Sequence, residues 1–242
     1  WFIRLGGEWQ NADPTHDFKG PQNTTQEDNW IIAAKKMAHR YEADYTYLNI
    51  WTEYPGDNFW DRSNSSFNTF WVKAYKSIKN DFPTKYVGGP GFSGFLTKEI
   101  MAGDTDNAAT TFLTKLFREG VRPDWIGWHL FSVDPAEYQQ AAAAYRNLLD
   151  ATGPFSDMVW KTAQPFADTE LILDAWGTSE TEDVGAESPE NISDEELAAI
   201  HNGGLGAATL GSIWMALQTT NTPHAFYYRA GDGTSTPGES GK

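Results

Sequence analysis

Cysteine is absent from the 242 residues, so disulfides and cysteine-ligated metal sites are excluded. Basic side chains are scarce, because 18 Lys and Arg stand against 33 Asp and Glu and leave a net charge of −15. This balance argues against nucleic acids and anionic membranes as partners, since both are bound through basic surface. No apolar run reaches the roughly 18 residues that a membrane-spanning helix needs.

Motifs for metals and nucleotides are also missing. The five histidines are scattered without a spacing such as HExxH, and the acidic residues do not form the loop pattern of a calcium site. No GxGxxG or GxxxxGK[ST] motif follows a predicted strand. We therefore expect no obligatory metal and no cofactor. The lack of cysteine, together with the acidity, favours an extracellular or periplasmic protein.

Aromatic residues are abundant, at 14% of the chain with eleven tryptophans. Flat aromatic rings pack well on the apolar faces of sugar rings, so contact with carbohydrate is one interpretation of this excess. The other is a large hydrophobic core with ordinary surface tryptophans, and for any single tryptophan it is the better one. The positions of these residues along the chain have to decide between the two.

Short apolar runs alternate with amphipathic segments along the whole chain. Strands are predicted at 2–7, 47–54, 85–92, 125–132, 170–177 and 224–230, and helices at 26–42, 66–80, 106–118, 135–150 and 193–218. Such alternation is typical of a parallel sheet covered by helices. Polar and aromatic residues gather at the C-terminal ends of the strands, which is where a (β/α)8 TIM barrel carries its active site. We predict that α/β fold, as a single domain over residues 1–242.

A closed barrel needs eight strands, whereas this chain supplies six. Residues 10–24 and 152–168 are typical of rim loops rather than of further βα units. The chain also begins at Trp1 without a methionine, so we expect that the first two βα units of a parent protein are missing from it. The alternative is an open six-stranded sheet, whose exposed edges would promote aggregation.

The stretch YLNIWTEYPGDNFW, residues 47–60, sets one carboxylate, Glu53, among four aromatic residues at the end of a predicted strand. Desolvating a carboxylate costs several kcal/mol unless the group is paired or neutral. We expect these aromatic surroundings to keep Glu53 protonated near neutral pH, as a general acid requires. The alternative is an ordinary surface glutamate on a loop.

The segment IWTEYPGDNFW resembles the acid/base motif of clan A glycoside hydrolases, which in family 39 reads roughly I/V-W-N-E-P-x-x-x-F-W at the end of the fourth strand. Further landmarks similar to family 39 follow in order, at KSIKNDFPTKY, VGGPGF, DWIGWHLFS, ELILDAWG and AFYYRAG. The resemblance covers most of residues 1–230. It implies a retaining enzyme that acts on an oligosaccharide or polysaccharide through two glutamates about 5 Å apart. By position, Glu53 corresponds to the acid/base.

Two positions depart from the family pattern. The asparagine that precedes the acid/base and binds the sugar 2-hydroxyl is replaced by Thr52, whose hydroxyl offers a single donor. The nucleophile is expected in a pattern like L-x-x-T-E-W, but here Ala175 occupies its place and Asp174 precedes it. Alanine has no group that can attack the anomeric carbon.

Three explanations of this second departure stay open. Ala175 is an engineered knock-out, or a natural loss that leaves a sugar-binding pseudoenzyme, or Asp174 has taken over the role. Strict alternation would turn Asp174 away from the barrel interior, which favours the first two explanations. A β-bulge could turn it inward, and its shorter side chain would then suit an inverting mechanism. Glu180, in the following loop, is a more distant candidate.

Other residues at the strand ends are candidates for binding the sugar. His129 lies in GWHLFS, which resembles the family's W-H-x-Y pattern with Phe131 in place of tyrosine; the alternative is a histidine that is satisfied within the core. Sugar-stacking or hydroxyl-binding roles are expected for Trp176, Tyr228, Glu8 and Trp9. Arg4 lies on the first strand and could neutralise Glu53 or Asp174.

These observations leave one leading hypothesis and two alternatives. The leading one is a glycoside hydrolase scaffold with Glu53 as the general acid/base and a lost nucleophile. A non-catalytic carbohydrate-binding pseudoenzyme is favoured if the asparagine, the nucleophile and the rim tyrosine were lost together. A transglycosidase on the same scaffold is the third possibility.

Overall fold

A computed structural model of the protein describes residues 2–5, 20–56, 59–177 and 204–227. The strands in these ranges are β1 (Phe2–Arg4), β2 (Tyr47–Asn49), β3 (Tyr86–Phe92), β4 (Trp125–Phe131), β5 (Glu170–Gly177) and β6 (His224–Tyr227). The helices are α1 (Thr24–Arg40), α2 (Asn64–Asp81), α3 (Gly94–Met101), α4 (Ala108–Arg118), α5 (Pro135–Leu149) and α6 (Gly204–Leu217). All six predicted strands are present, although β2 was predicted to reach Tyr54 and ends at Asn49.

The six strands form one parallel sheet whose spatial order is the chain order, β1 to β6. The sheet curls, so that its two ends approach each other. The ring of Phe2 in β1 lies 5.0 Å from that of Phe226 in β6, and Arg4 reaches across to Asp174 in β5. The predicted parallel α/β architecture is therefore confirmed as a curled, partial (β/α) barrel.

The sheet has an outer face under the helices and an inner face inside the curl. The outer face is apolar: Leu48, Val87, Trp128 and Leu173 are buried in one cluster with residues of α2, α4 and α5. On the inner face, Trp125, Ile172 and Ala175 are buried outside that cluster. The polar residues that meet across the curl lie on this inner face.

Polar side chains cap the N-termini of the helices. Each cap therefore marks the end of the loop that leads from a strand into the next helix. Ser63 caps α2, and Asp134 caps α5 with Pro135 as the first helical residue. The helix predicted at 26–42 begins two residues earlier, at Thr24, because the Asn23 side chain caps it by accepting a hydrogen bond from the Gln26 amide at 3.0 Å. The short helix α3 was not predicted.

The described ranges were searched for membrane-spanning helices and for clusters of metal ligands. No helix in them combines the length and apolar character that crossing a membrane requires. No group of three or more histidines and carboxylates in them is placed to hold a metal ion.

Candidate active site

Glu53 lies just after β2, in a left-handed backbone conformation with φ of 54°. This conformation costs a residue with a Cβ roughly 1–2 kcal/mol, so it persists only where the surroundings hold it. The Glu53 side chain is 26% exposed, and its Oε1 is hydrogen-bonded to Nδ1 of His129. The carboxylate thus faces both solvent and the barrel interior.

Three of the four aromatic neighbours of Glu53 in the sequence belong to the hydrophobic core. Trp51, Tyr54 and Trp60 are buried in the hydrophobic core. Trp51 packs edge-on against Trp60, and Tyr54 stacks on Phe67 of α2. The side chain that contacts the Glu53 carboxylate is instead an imidazole.

His129 lies towards the C-terminal end of β4 on the inner face, with its side chain only 1% exposed. Its two ring nitrogens face two carboxylates. Nδ1 contacts Glu53, and Nε2 lies 3.1 Å from Oδ1 of Asp174. The second contact has the distance of a hydrogen bond but not its alignment, so it is best described as an ion pair. His129 is therefore no ordinary core histidine, because it joins Glu53 to Asp174.

Asp174 reaches the interior because β5 carries a bulge. Trp128 of β4 pairs with Leu173, whereas His129 pairs with Ala175, so Asp174 is one extra residue in β5. The register with β6 shifts in the same region. The expectation that Asp174 points away from the interior is thus corrected, because it assumed strict alternation and the bulge breaks that alternation.

The carboxylate of Asp174 is fully buried and held from three sides. Its Oδ2 accepts a hydrogen bond from Nδ2 of Asn49 at 3.0 Å and a longer one from Nη2 of Arg4 at 3.4 Å. Its Oδ1 faces His129. Arg4 therefore lies beside Asp174, one of the two partners expected for it.

Two glycines on neighbouring strands leave room for this cluster. A Cβ on Gly91 would lie 2.6 Å from Oδ2 of Asp174 and from Nε2 of His129. A Cβ on Gly127 would lie 2.5 Å from Oδ1 of Asp174. Glycine inside a strand weakens the strand, and it commonly marks a place where another group approaches closely.

The charges around His129 decide its protonation. Burial alone would lower the pKa of His129, but the Glu53 and Asp174 carboxylates outweigh burial and raise that pKa to about 10. The ring is then an imidazolium at neutral pH. Arg4, Asp174, His129 and Glu53 alternate in charge along one connected chain of contacts.

The remaining predicted residues are placed as follows. Thr52 is 2% exposed, and its hydroxyl has no hydrogen-bond partner within the described part of the chain. Ala175 is 3% exposed and pairs with His129. Trp176 is fully buried on the outer face, edge-on to Tyr138 of α5, so its placement does not support a sugar-stacking role. Glu8, Trp9, Tyr228 and Glu180 lie outside the described residues.

Asn49, Gly91 and Gly127 were missed at the level of sequence. Asn49 precedes Glu53 by four residues in an apolar strand, and a buried amide there needs a partner. That is a usable signal. Gly91 and Gly127 gave a weaker signal, because an isolated glycine inside a predicted strand suggests only that another group approaches the backbone there.

Comparisons with known proteins give the fold a context. No family model and no curated protein matches the chain. Among solved structures, a glucosidase from Croceicoccus marinus superposes with a TM-score of 0.62 at 17% identity, over 90% of this chain and 40% of that one. A family 39 β-xylosidase from Caulobacter crescentus gives 0.56 at 16% identity, over 84% and 38%.

A family 128 endo-β-1,3-glucanase from Amycolatopsis mediterranei, solved with laminaritriose, gives a TM-score of 0.53 at 12% identity, over 97% of this chain and 73% of that one. By contrast, the chain spans only about two fifths of the length of the glucosidase and of the β-xylosidase. At these identities the likeness concerns the fold, which is one that glycoside hydrolases use.

Proposed function

We propose that the chain is a glycoside hydrolase scaffold that binds an oligosaccharide or polysaccharide at the C-terminal ends of its strands. In this proposal β1 to β6 correspond to the third to eighth strands of a (β/α)8 barrel. Glu53 is the general acid/base, and Ala175 occupies the nucleophile position. The protein acts outside the cytoplasm, in keeping with its acidity and lack of cysteine.

One observation carries this proposal. Glu53, on the loop after β2, and Asp174, at the bulge of β5, face the same imidazole from opposite sides of the curl. Carboxylates that meet across the carboxyl ends of parallel strands are the arrangement that glycoside hydrolysis uses. The strained backbone of Glu53 supports a functional position, since strain of this kind clusters at active sites.

The second candidate is a non-catalytic sugar-binding protein, and the burial of Asp174 favours it. Both oxygens of that carboxylate already face Asn49, Arg4 and His129, and the side chain has no exposed surface. A retaining mechanism needs a nucleophile that touches the anomeric carbon. Neither Asp174 in this position nor Ala175 supplies one.

Sugar binding and turnover by the unaltered chain test the proposed function. Isothermal titration of the unaltered chain with a panel of xylo-, gluco- and arabino-oligosaccharides is expected to show binding. Glu53→Gln is expected to weaken it, whereas Glu119→Gln, an exposed glutamate on the helical surface, serves as the matched control. Release of p-nitrophenol from the corresponding aryl glycosides then tests for hydrolysis. Absence of both binding and hydrolysis across the panel would contradict the proposed function.

A further inference from the structure

The bulge in β5 turns a carboxylate inward one residue before the position at which the family pattern has one. The family pattern places the charged residue at position 175, whereas this chain has alanine there and a carboxylate at 174. The register shift on both sides of β5 lets Asp174 and Ala175 both lie toward the interior, while Leu173 and Trp176 remain on the outer face. The interior has therefore kept a second acidic group, in a different position.

The position of this group excludes direct attack on a sugar. The Asp174 side chain has no exposed surface, and Gly91 and Gly127 lie directly against its oxygens. Arg4 and Asn49 hold Oδ2, which leaves Oδ1 for His129. A nucleophile has to reach the reacting carbon, so this carboxylate acts through another group.

That group is the imidazole of His129. Its charged and polar surroundings in the described residues are Glu53 from the loop after β2, Asp174 from β5, and, behind Asp174, Arg4 from β1 and Asn49 from β2. Two carboxylates on opposite sides of one buried ring therefore favour its charged form.

We propose that Asp174 is a positioning residue that keeps the His129 ring charged and fixes its Nδ1–H on the Glu53 carboxylate. The raised pKa of His129 agrees with this arrangement. Glu53 then meets a charged donor on its buried side and solvent on the other.

This inference rests on the proposed function only for the role of Glu53, and it can be tested without any sugar. The nitrogen shifts of His129, followed by NMR against pH, report whether both ring nitrogens carry protons. In the unaltered chain we expect a charged ring throughout the neutral range. Asp174→Asn, which removes the charge and keeps the shape, is expected to lower the midpoint by about one to three pH units. His39, an exposed histidine on α1, is the internal control and should not move.

Two results would overturn the inference. One is a His129 ring that titrates in the unaltered chain with the ordinary midpoint of about 6.5. The other is a folded Asp174→Asn variant with an unchanged midpoint. The first result decides the matter even if Asp174→Asn does not fold. A chain that binds no sugar but has a charged His129 contradicts the proposed function and supports this inference, and a sugar-binding chain with a neutral ring does the reverse.

Discussion

Nε2 of His129 lies 3.1 Å from Oδ1 of Asp174, and both side chains are closed to solvent. Asp174 also offsets the charge of Arg4, which is partly buried beside it. A buried ion pair contributes little net stability when intact, but removing one partner leaves an uncompensated charge. This relationship leads to the first prediction.

Asp174→Ala should lower the free energy of unfolding by roughly 3–5 kcal/mol, because His129 and Arg4 lose their common partner. Urea unfolding at pH 7 measures the change. The control is Glu119→Gln, which removes an exposed carboxylate from Lys76 and Lys115 and should change stability little. Equal small losses in the two variants would mean that the Asp174 cluster does not hold the fold together.

Gly127→Ala should destabilise the protein, because the added Cβ would lie 2.5 Å from Oδ1 and 2.9 Å from Cγ of Asp174. Gly211→Ala, on the exposed surface of α6, meets nothing within 4 Å and should stabilise by up to about 1 kcal/mol. Thermal melting of the two variants gives opposite shifts if the interior is packed as described. A Gly127→Ala variant that melts like the unaltered protein would contradict the close approach.

The stability of the protein should depend on pH through His129. The folded-state pKa of His129 is raised to about 10, above an unfolded value of about 6.5. A raised pKa gives stability that is fully present below the unfolded value and is lost as pH rises through the folded one. The free energy of unfolding should therefore fall between about pH 6.5 and pH 10, and it should fall by more than that of a His129→Gln variant.

His129→Gln is the control for this pH dependence, because it removes the titrating ring and keeps a polar side chain. Urea midpoints for both proteins, taken across that pH window, should converge as the pH rises. Parallel curves for the two proteins would show that His129 does not carry the effect.

Much of the fold could be predicted from the sequence. Each strand is a short apolar run bounded by turn residues, and the alternation with helices indicates a parallel sheet. Glu53 and His129 lie at strand ends, and topology alone brings such ends together at one edge of the sheet. Their common location followed from pattern, although their direct contact did not.

The rest depends on contacts that no local pattern shows. Asp174 was expected to face outward because strands alternate, and a one-residue bulge has no signature in ELILDAWG. Trp176 follows the proposed nucleophile position in sequence, but alternation from the inward-facing Ala175 turns it against Tyr138 on the outer face. The partners of the Asp174 carboxylate come from β1, β2 and β4, far apart in the chain.

Changing positions 174 and 175 to the pattern of family 39 tests whether position 175 is the missing nucleophile. Asp174→Thr combined with Ala175→Glu moves the carboxylate by one residue and keeps a negative charge near His129 and Arg4. The two changes together should therefore be less destabilising than Asp174→Thr alone. Ala175→Glu alone places its carboxylate beside that of Asp174, so this single variant should release less product than the double variant.

The measurement is p-nitrophenol release from aryl glycosides by the double variant, with the unaltered chain alongside. We expect release by the double variant, its abolition by a further Glu53→Gln change, and no comparable release by the unaltered chain. Equal release by the unaltered chain would contradict a lost nucleophile at position 175. A folded double variant that binds sugar and releases nothing would contradict the assignment of that position.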